Sequence, residues 1–123
     1  MAGHVGPKPL HWVGSTKKDL DAMPDDVKDV FGYALHLAQA GGRHAAAKPW
    51  KGSGPGVLEV VDDYQSDTYR AVYTVRFHGV VYVLHAFQKK SPTGIATSQR
   101  DVDLIATRLK AAETHWRKTY GGH

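Results

Sequence analysis

The run Tyr69–Lys90, YRAVYTVRFHGVVYVLHAFQKK, sets the architecture that the rest of the chain completes. Tyr69–Phe77 and Val80–Lys90 are rich in Val, Tyr and Phe, and His78-Gly79 separates them. Two apolar runs around a dipeptide ending in Gly predict a tight β-hairpin. That turn fixes a register in which 77 opposes 80, 75 opposes 82, 71 opposes 86 and 70 opposes 87. Alternation then sorts the side chains. Tyr69, Ala71, Tyr73, Val75, Phe77, Val80, Tyr82, Leu84 and Ala86 form an apolar face. Arg70, Val72, Thr74, Arg76, Val81, Val83, His85, Phe87 and Lys89 form the other. Arg70, His85 and Lys89 become diagonal neighbours around Phe87, and such a set of bases repels itself unless an anion joins it.

Outward from the hairpin, residues 1–9 read as a flexible leader and 119–123 as a flexible tail, leaving one domain over 10–118. The chain's 123 residues suffice for a modest core without staples. Leu10–Val13 is a short strand. Ser15 or Thr16 caps a brief helix running to about Ala22, and Pro24-Asp25-Asp26 opens a second. Val27, Val30, Phe31, Ala34, Leu35 and Ala38 line one face of that second helix, which stops at Gly41-Gly42. The two make a helical hairpin that covers a sheet. Arg43–Gly56 is a loop, Val57–Val61 a strand, and Asp62-Asp63 an acidic turn. After Lys90, Ser91-Pro92-Thr93-Gly94 breaks the strand. Thr97 or Ser98 caps a last helix striped by Val102, Ile105, Leu109, Ala112 and Trp116. The order is β-α-α-β-β-β-α: an α+β fold with a mainly antiparallel sheet of about four strands.

The absence of cysteine excludes disulfides and a thiol nucleophile. No apolar run approaches a membrane span and no signal-peptide core opens the chain, so a cytoplasmic protein is expected. The net charge of +4 favours an anionic partner such as nucleic acid or an acidic protein, although an ordinary basic surface has the same charge. Eight histidines are scattered without metal-ligand spacing, so neither a metal nor another cofactor is expected. Lys48 and Lys51 flank Trp50, which either stacks on a base between two phosphate-binding cations or tucks against the core. Lys89 and Lys90 either meet phosphates or guard a strand end against edge pairing. His85 is either a hydrogen-bonded strand residue or an acid–base group. Glu59 is the single acid inside a strand.

The order of elements resembles the compact toxins of the RelE/ParE superfamily. Tyr69-Arg70-Ala71-Val72-Tyr73 followed by Val83-Leu84-His85-Ala86-Phe87-Gln88-Lys89-Lys90-Ser91-Pro92 resembles the phage-derived Gp49-like, HigB-type branch, over roughly Leu10 to Trp116. That resemblance implies a small RelE-like fold and the toxin of a type II toxin–antitoxin system: an endoribonuclease that cuts mRNA on the ribosome and inhibits translation. The implied partner is an antitoxin of the helix-turn-helix DNA-binding kind. It also implies that Arg70 grips the scissile phosphate and that Lys89 or Lys90 stabilises the transition state, with His85 at a position where this branch commonly carries histidine.

The chain departs from RelE in offering Glu59 where lysines precede the "YR" strand, and no tyrosine at Gly94-Ile95-Ala96. His85 and Glu59 are therefore the candidate bases, while Lys48, Lys51 and Arg76 are candidate RNA contacts. A 2′-OH nucleophile supplied by the RNA, leaving a 2′,3′-cyclic phosphate, needs no metal. A gyrase-binding toxin of the ParE kind, or an inactive prophage module that only binds its antitoxin, are the other readings.

Overall fold

A computed structural model describes residues 6–89 and 98–121. The elements are β1 (Leu10–Trp12), α1 (Thr16–Asp21), α2 (Asp25–Gln39), β2 (Lys48–Pro49), β3 (Val57–Tyr64), β4 (Asp67–Thr74), β5 (Val81–Lys89) and α3 (Gln99–Tyr120). The strands form one sheet in the order β1-β5-β4-β3-β2, antiparallel except for β1 beside β5. This is the small α+β, RelE-like arrangement expected, with one strand more. β2 was read as loop; two residues flanked by Ala47 and Trp50 carry no periodicity, and the strand exists because it pairs with Leu58 and Glu59.

Helices cover both faces of the sheet. Val27, Phe31, Ala34, Leu35 and Ala38 of α2 pack on Val60, Ala71, Tyr73, Val81, Val83 and Ala86. On the other face Ile105, Leu109 and Ala112 of α3 pack on Val57, Val72, Tyr82 and Leu84, joined by Trp50. The stripes of both helices fall as their spacing predicts. Ser98 caps α3 as read from sequence, accepting a hydrogen bond from the Asp101 backbone N–H at 3.2 Å. Trp50 is core, in line with the ordinary reading of that residue.

The hairpin needs two corrections. Its β4 half ends at Thr74 and its β5 half begins at Val81, so residues 75–80 form the connection and His78-Gly79 is only its tip. Here Thr74 Oγ1 and the Val75 N–H both donate to the Gly56 carbonyl (2.7 and 2.9 Å), drawing the chain out of the ladder. Gly56 has φ +81°, and a Cβ there would lie 2.9 Å from Arg76 Cα, so glycine is required.

Second, the register slips. Arg70 faces Phe87, Ala71 faces Ala86 and Val72 faces His85 as expected, but Tyr73 faces Val83, leaving Leu84 as a bulge. The extra residue inverts alternation on one side of it. Tyr82 and Leu84 therefore point to α3, and Val81 and Val83 to α2, opposite to the expected faces. An apolar run buried on both sides carries no alternation from which a slip could be read.

The turn between β3 and β4 is Gln65-Ser66, both with positive φ (49° and 71°), rather than Asp62-Asp63. Those aspartates continue β3 instead, and Asp63 accepts from Thr68 Oγ1 at 2.8 Å. Among the described residues no helix is long and apolar enough to cross a membrane.

Candidate active site

The α3-facing side of the sheet changes character towards the Lys89 end of β5. The apolar cluster under α3 has Phe87 and Val102 at its margin. Beside it stand Glu59 of β3, Arg70 of β4 and Lys89 of β5. Glu59 faces Val72, Val61 faces Arg70, and Arg70 faces Phe87, so these side chains occupy adjacent rungs. On the outer edge β2 brings Lys48 opposite Glu59.

Glu59 is the hub of this patch. Its Oε2 accepts from Arg70 Nη1 at 3.1 Å and its Oε1 lies 3.9 Å from Lys48 Nζ. The side chains of Glu59 and Arg70 are only 11% and 14% exposed, while that of Lys48 is 62% exposed. Fewer waters thus compete for the inner pair than for the outer one. Of the bases expected to repel one another, Arg70 is paired with Glu59 and His85 with Asp101. Loss of hydration, and then the Arg70 charge, push the Lys89 ammonium pKa down.

His85 lies under the same surface but turns away from it. Its Nε2–H donates to Asp101 Oδ1 at 2.8 Å, and its ring stacks on Phe87 at 4.2 Å with 17° between planes. Asp101, in the first turn of α3, also accepts from Ser98 Oγ at 2.6 Å. Burial lowers the His85 pKa against the opposing pull of Asp101, so the imidazole is neutral at pH 7. Desolvation is the largest cause, and the Arg108 charge adds to it. Burial alone would raise the Asp101 pKa, but hydrogen bonds from Ser98 and His85 outweigh it and leave the group lowered.

The remaining expected contacts lie elsewhere. Arg76 sits past the opposite end of β4, where its Nε donates to the Pro55 carbonyl at 2.7 Å and its Nη2 to that of Ser53. It pins the loop before β3 and does not join Arg70. Lys51 is exposed in the turn after β2. Lys90 falls outside the described residues.

Sequence reasoning missed Asp101 as the partner of His85 and Lys48 as a ligand of Glu59. A Ser-x-x-Asp cap signature at Ser98–Asp101 was available for the first. Nothing local could supply the second, because β2 is recognisable only once paired.

The family described as phage derived protein Gp49-like (DUF891) matches residues 18–110, from α1 to the middle of α3, and that span contains every residue of the patch. No curated protein matches the chain. With well over half of its length matched and the expected sheet and helices in place, the chain belongs to the Gp49-like family of phage-derived proteins, within the RelE superfamily.

Proposed function

We propose that this protein is the toxin of a type II toxin–antitoxin pair and that it cleaves mRNA on the ribosome. The observation that carries this reading is the Arg70–Glu59 pair, flanked on the same sheet face by Lys48 on one side and Lys89 on the other. Such a patch combines donors for phosphoryl oxygens with a carboxylate able to take a proton, which is what RNA transesterification requires.

In the proposed reaction the RNA's 2′-OH attacks the adjacent phosphorus. Its proton passes to Glu59, the P–O5′ bond breaks, and a 2′,3′-cyclic phosphate and a 5′-OH result. Arg70 places its planar fork against the non-bridging oxygens, which gain charge in the transition state. Lys89, whose lowered pKa makes it a stronger acid, protonates the departing 5′-oxygen. Lys90, the next residue in sequence, is a further candidate cation, and Lys48 tracks a neighbouring phosphate. Metal is dispensable because the nucleophile is already in the substrate.

Glu59 is favoured over His85 as the base on geometry. The His85 Nε2 is committed to Asp101 and its Nδ1 is buried. His85 is instead a positioning residue that ties β5 to the first turn of α3.

The protein partner is the cognate antitoxin, of the helix-turn-helix kind. Purified protein incubated with mRNA, with and without translating ribosomes, tests the reading. Cyclic-phosphate ends formed only with ribosomes, insensitive to EDTA chelation beyond what ribosome integrity allows, support it. Intact mRNA in both mixtures, with inhibition of purified gyrase instead, would overturn it in favour of a ParE-like target.

A further inference from the structure

The Leu84 bulge decides which face of the sheet the end of β5 presents. Val83 faces Tyr73 and His85 faces Val72, so Leu84 has no partner on β4. Were the ladder to run on from Val83 without that extra residue, Leu84 would face Val72 and Ala86 would face Arg70. Every residue beyond would then change sides. Phe87 and Lys89 would point to α2, away from Arg70, instead of standing with it on the α3 side.

We propose that Arg108 of α3 is the positioning residue that holds this bulge, and through it keeps Lys89 on the face of Arg70. The inference rests on the ribonuclease reading for what Lys89 does there, but the register it describes does not depend on that reading.

Three observations carry it. First, Arg108 Nη1 donates to the Leu84 carbonyl at 3.1 Å, at the residue that the ladder skips. Its Nη2 reaches Ser15 Oγ at 3.3 Å, and the guanidinium lies against Gly14, where a Cβ would come within 2.9 Å of Nη2. The side chain thus spans from α3 across the bulge to the β1–α1 connection, through space that a glycine leaves open.

Second, this bond is one of two ties to the same point. Asp101, Ile105 and Arg108 stand at i, i+4 and i+7 on one face of α3. Asp101 accepts from His85, Ile105 is fully buried, and Arg108 donates to Leu84. Two turns of helix therefore grip two consecutive residues of β5.

Third, the two halves of β5 are unequally secured. Val81–Val83 has β1 on its far side, whereas His85–Lys89 pairs with β4 alone among the described residues. Loss of the bulge would shift the half with one neighbour, which is the half that carries Phe87 and Lys89. A guanidinium that merely staples α3 to the sheet would leave that register unchanged when removed.

Arg108→Gln is too short to reach Leu84 and leaves a polar side chain at a half-buried position, while Arg108→Lys keeps a donor at full reach. Cross-strand backbone contacts measured by NMR read the register without any cleavage. In Arg108→Gln, contacts of Arg70 with Ala86 and of Ala71 with His85 should appear at the expense of Arg70 with Phe87 and Ala71 with Ala86. The Tyr73–Val83 contacts should persist. With mRNA on translating ribosomes, kcat should fall about 10²-fold with KM nearly unchanged. Arg108→Lys should restore both register and kcat. Gly14→Ala, which displaces the guanidinium without removing it, should give the same slip in smaller proportion. Wild-type contacts in a folded Arg108→Gln, or in Gly14→Ala where the glutamine variant does not fold, would overturn the proposal. A slipped register with wild-type kcat would overturn it as well. The slip in a protein whose wild type leaves mRNA intact would uphold Arg108 as the holder of the register while removing the ribonuclease reading.

Discussion

Replacing Glu59 by Gln separates the two tasks assigned to this carboxylate, holding Arg70 and taking a proton. At 3.1 Å the gross attraction of Glu59 for Arg70 is about 5 kcal/mol at an effective dielectric constant of about 20. Desolvation of two side chains buried to this degree offsets much of it, so a net coupling of about 1–3 kcal/mol is expected, above that of exposed pairs. A double-mutant cycle of Glu59→Gln, Arg70→Gln and both together, followed by urea unfolding, measures that coupling directly. At a typical slope of 1–3 kcal/mol/M the single variants should unfold at midpoints lower by roughly 0.5–2 M. The amide can still accept from Arg70 Nη1, so Glu59→Gln should bind RNA at least as tightly as the wild type, having lost a negative charge. It cannot take the 2′-OH proton, and cleavage should fall by about 10²–10⁴. A Glu59→Gln protein that cleaves at the wild-type rate refutes Glu59 as base. Coupling below about 0.5 kcal/mol refutes the pair as a positioning device.

Three further outcomes test the fold that holds the site. Burial, and then the neighbouring His115, lower the pKa of His11, whose ring lies 4.7 Å from that of His115. His85 is lowered as well, so between pH 7 and 5 the unfolded chain binds more protons than the folded one. Thermal midpoints should therefore drop as pH falls through about 6.5, and the drop should be smaller in His11→Gln; an unchanged slope counts against the His11 contribution. Gly56→Ala should cost about 1–3 kcal/mol by chemical denaturation, because its positive φ and the 2.9 Å approach to Arg76 leave no room for a methyl; a neutral result would mean that the 75–80 connection is not as described. Ser98→Ala removes the cap of α3 and a hydrogen bond to Asp101, and should cost about 0.5–2 kcal/mol. Faster amide exchange in the first turn of α3 should accompany that loss, and its absence would show that the cap is idle.

The parts of the molecule legible in the sequence were those whose signal is local. The stripe Val27–Ala38, the stop at Gly41-Gly42 and the Ser98 cap each depend on neighbours within a turn or two. The pairing of Arg70 with Phe87 was also legible, because the two strands are close in sequence and both end in charge. The Leu84 bulge was not, since Val80–Leu84 is apolar throughout and buried on both faces, so a slip costs nothing in pattern. The Gln65-Ser66 turn escaped because Asp62-Asp63 has the stronger turn composition, yet cross-strand pairing with Thr68 and Tyr69 overrode it.

The site divided along the same line. Arg70 and Lys89 came from a motif, whereas Glu59's partnership with Lys48 depends on β2 reaching across a loop. His85 drew attention as a strand histidine, and its hydrogen bond to Asp101 of α3 could not be read from either strand.

The most direct test of the central claim is mapping of new mRNA 5′ ends in bacteria after brief induction of the wild type and of Arg70→Ala. The account predicts ends confined to translated regions in the wild type and absent in the variant, with growth arrest lost in parallel. Intact mRNA during arrest, or the same ends with Arg70→Ala, would contradict it.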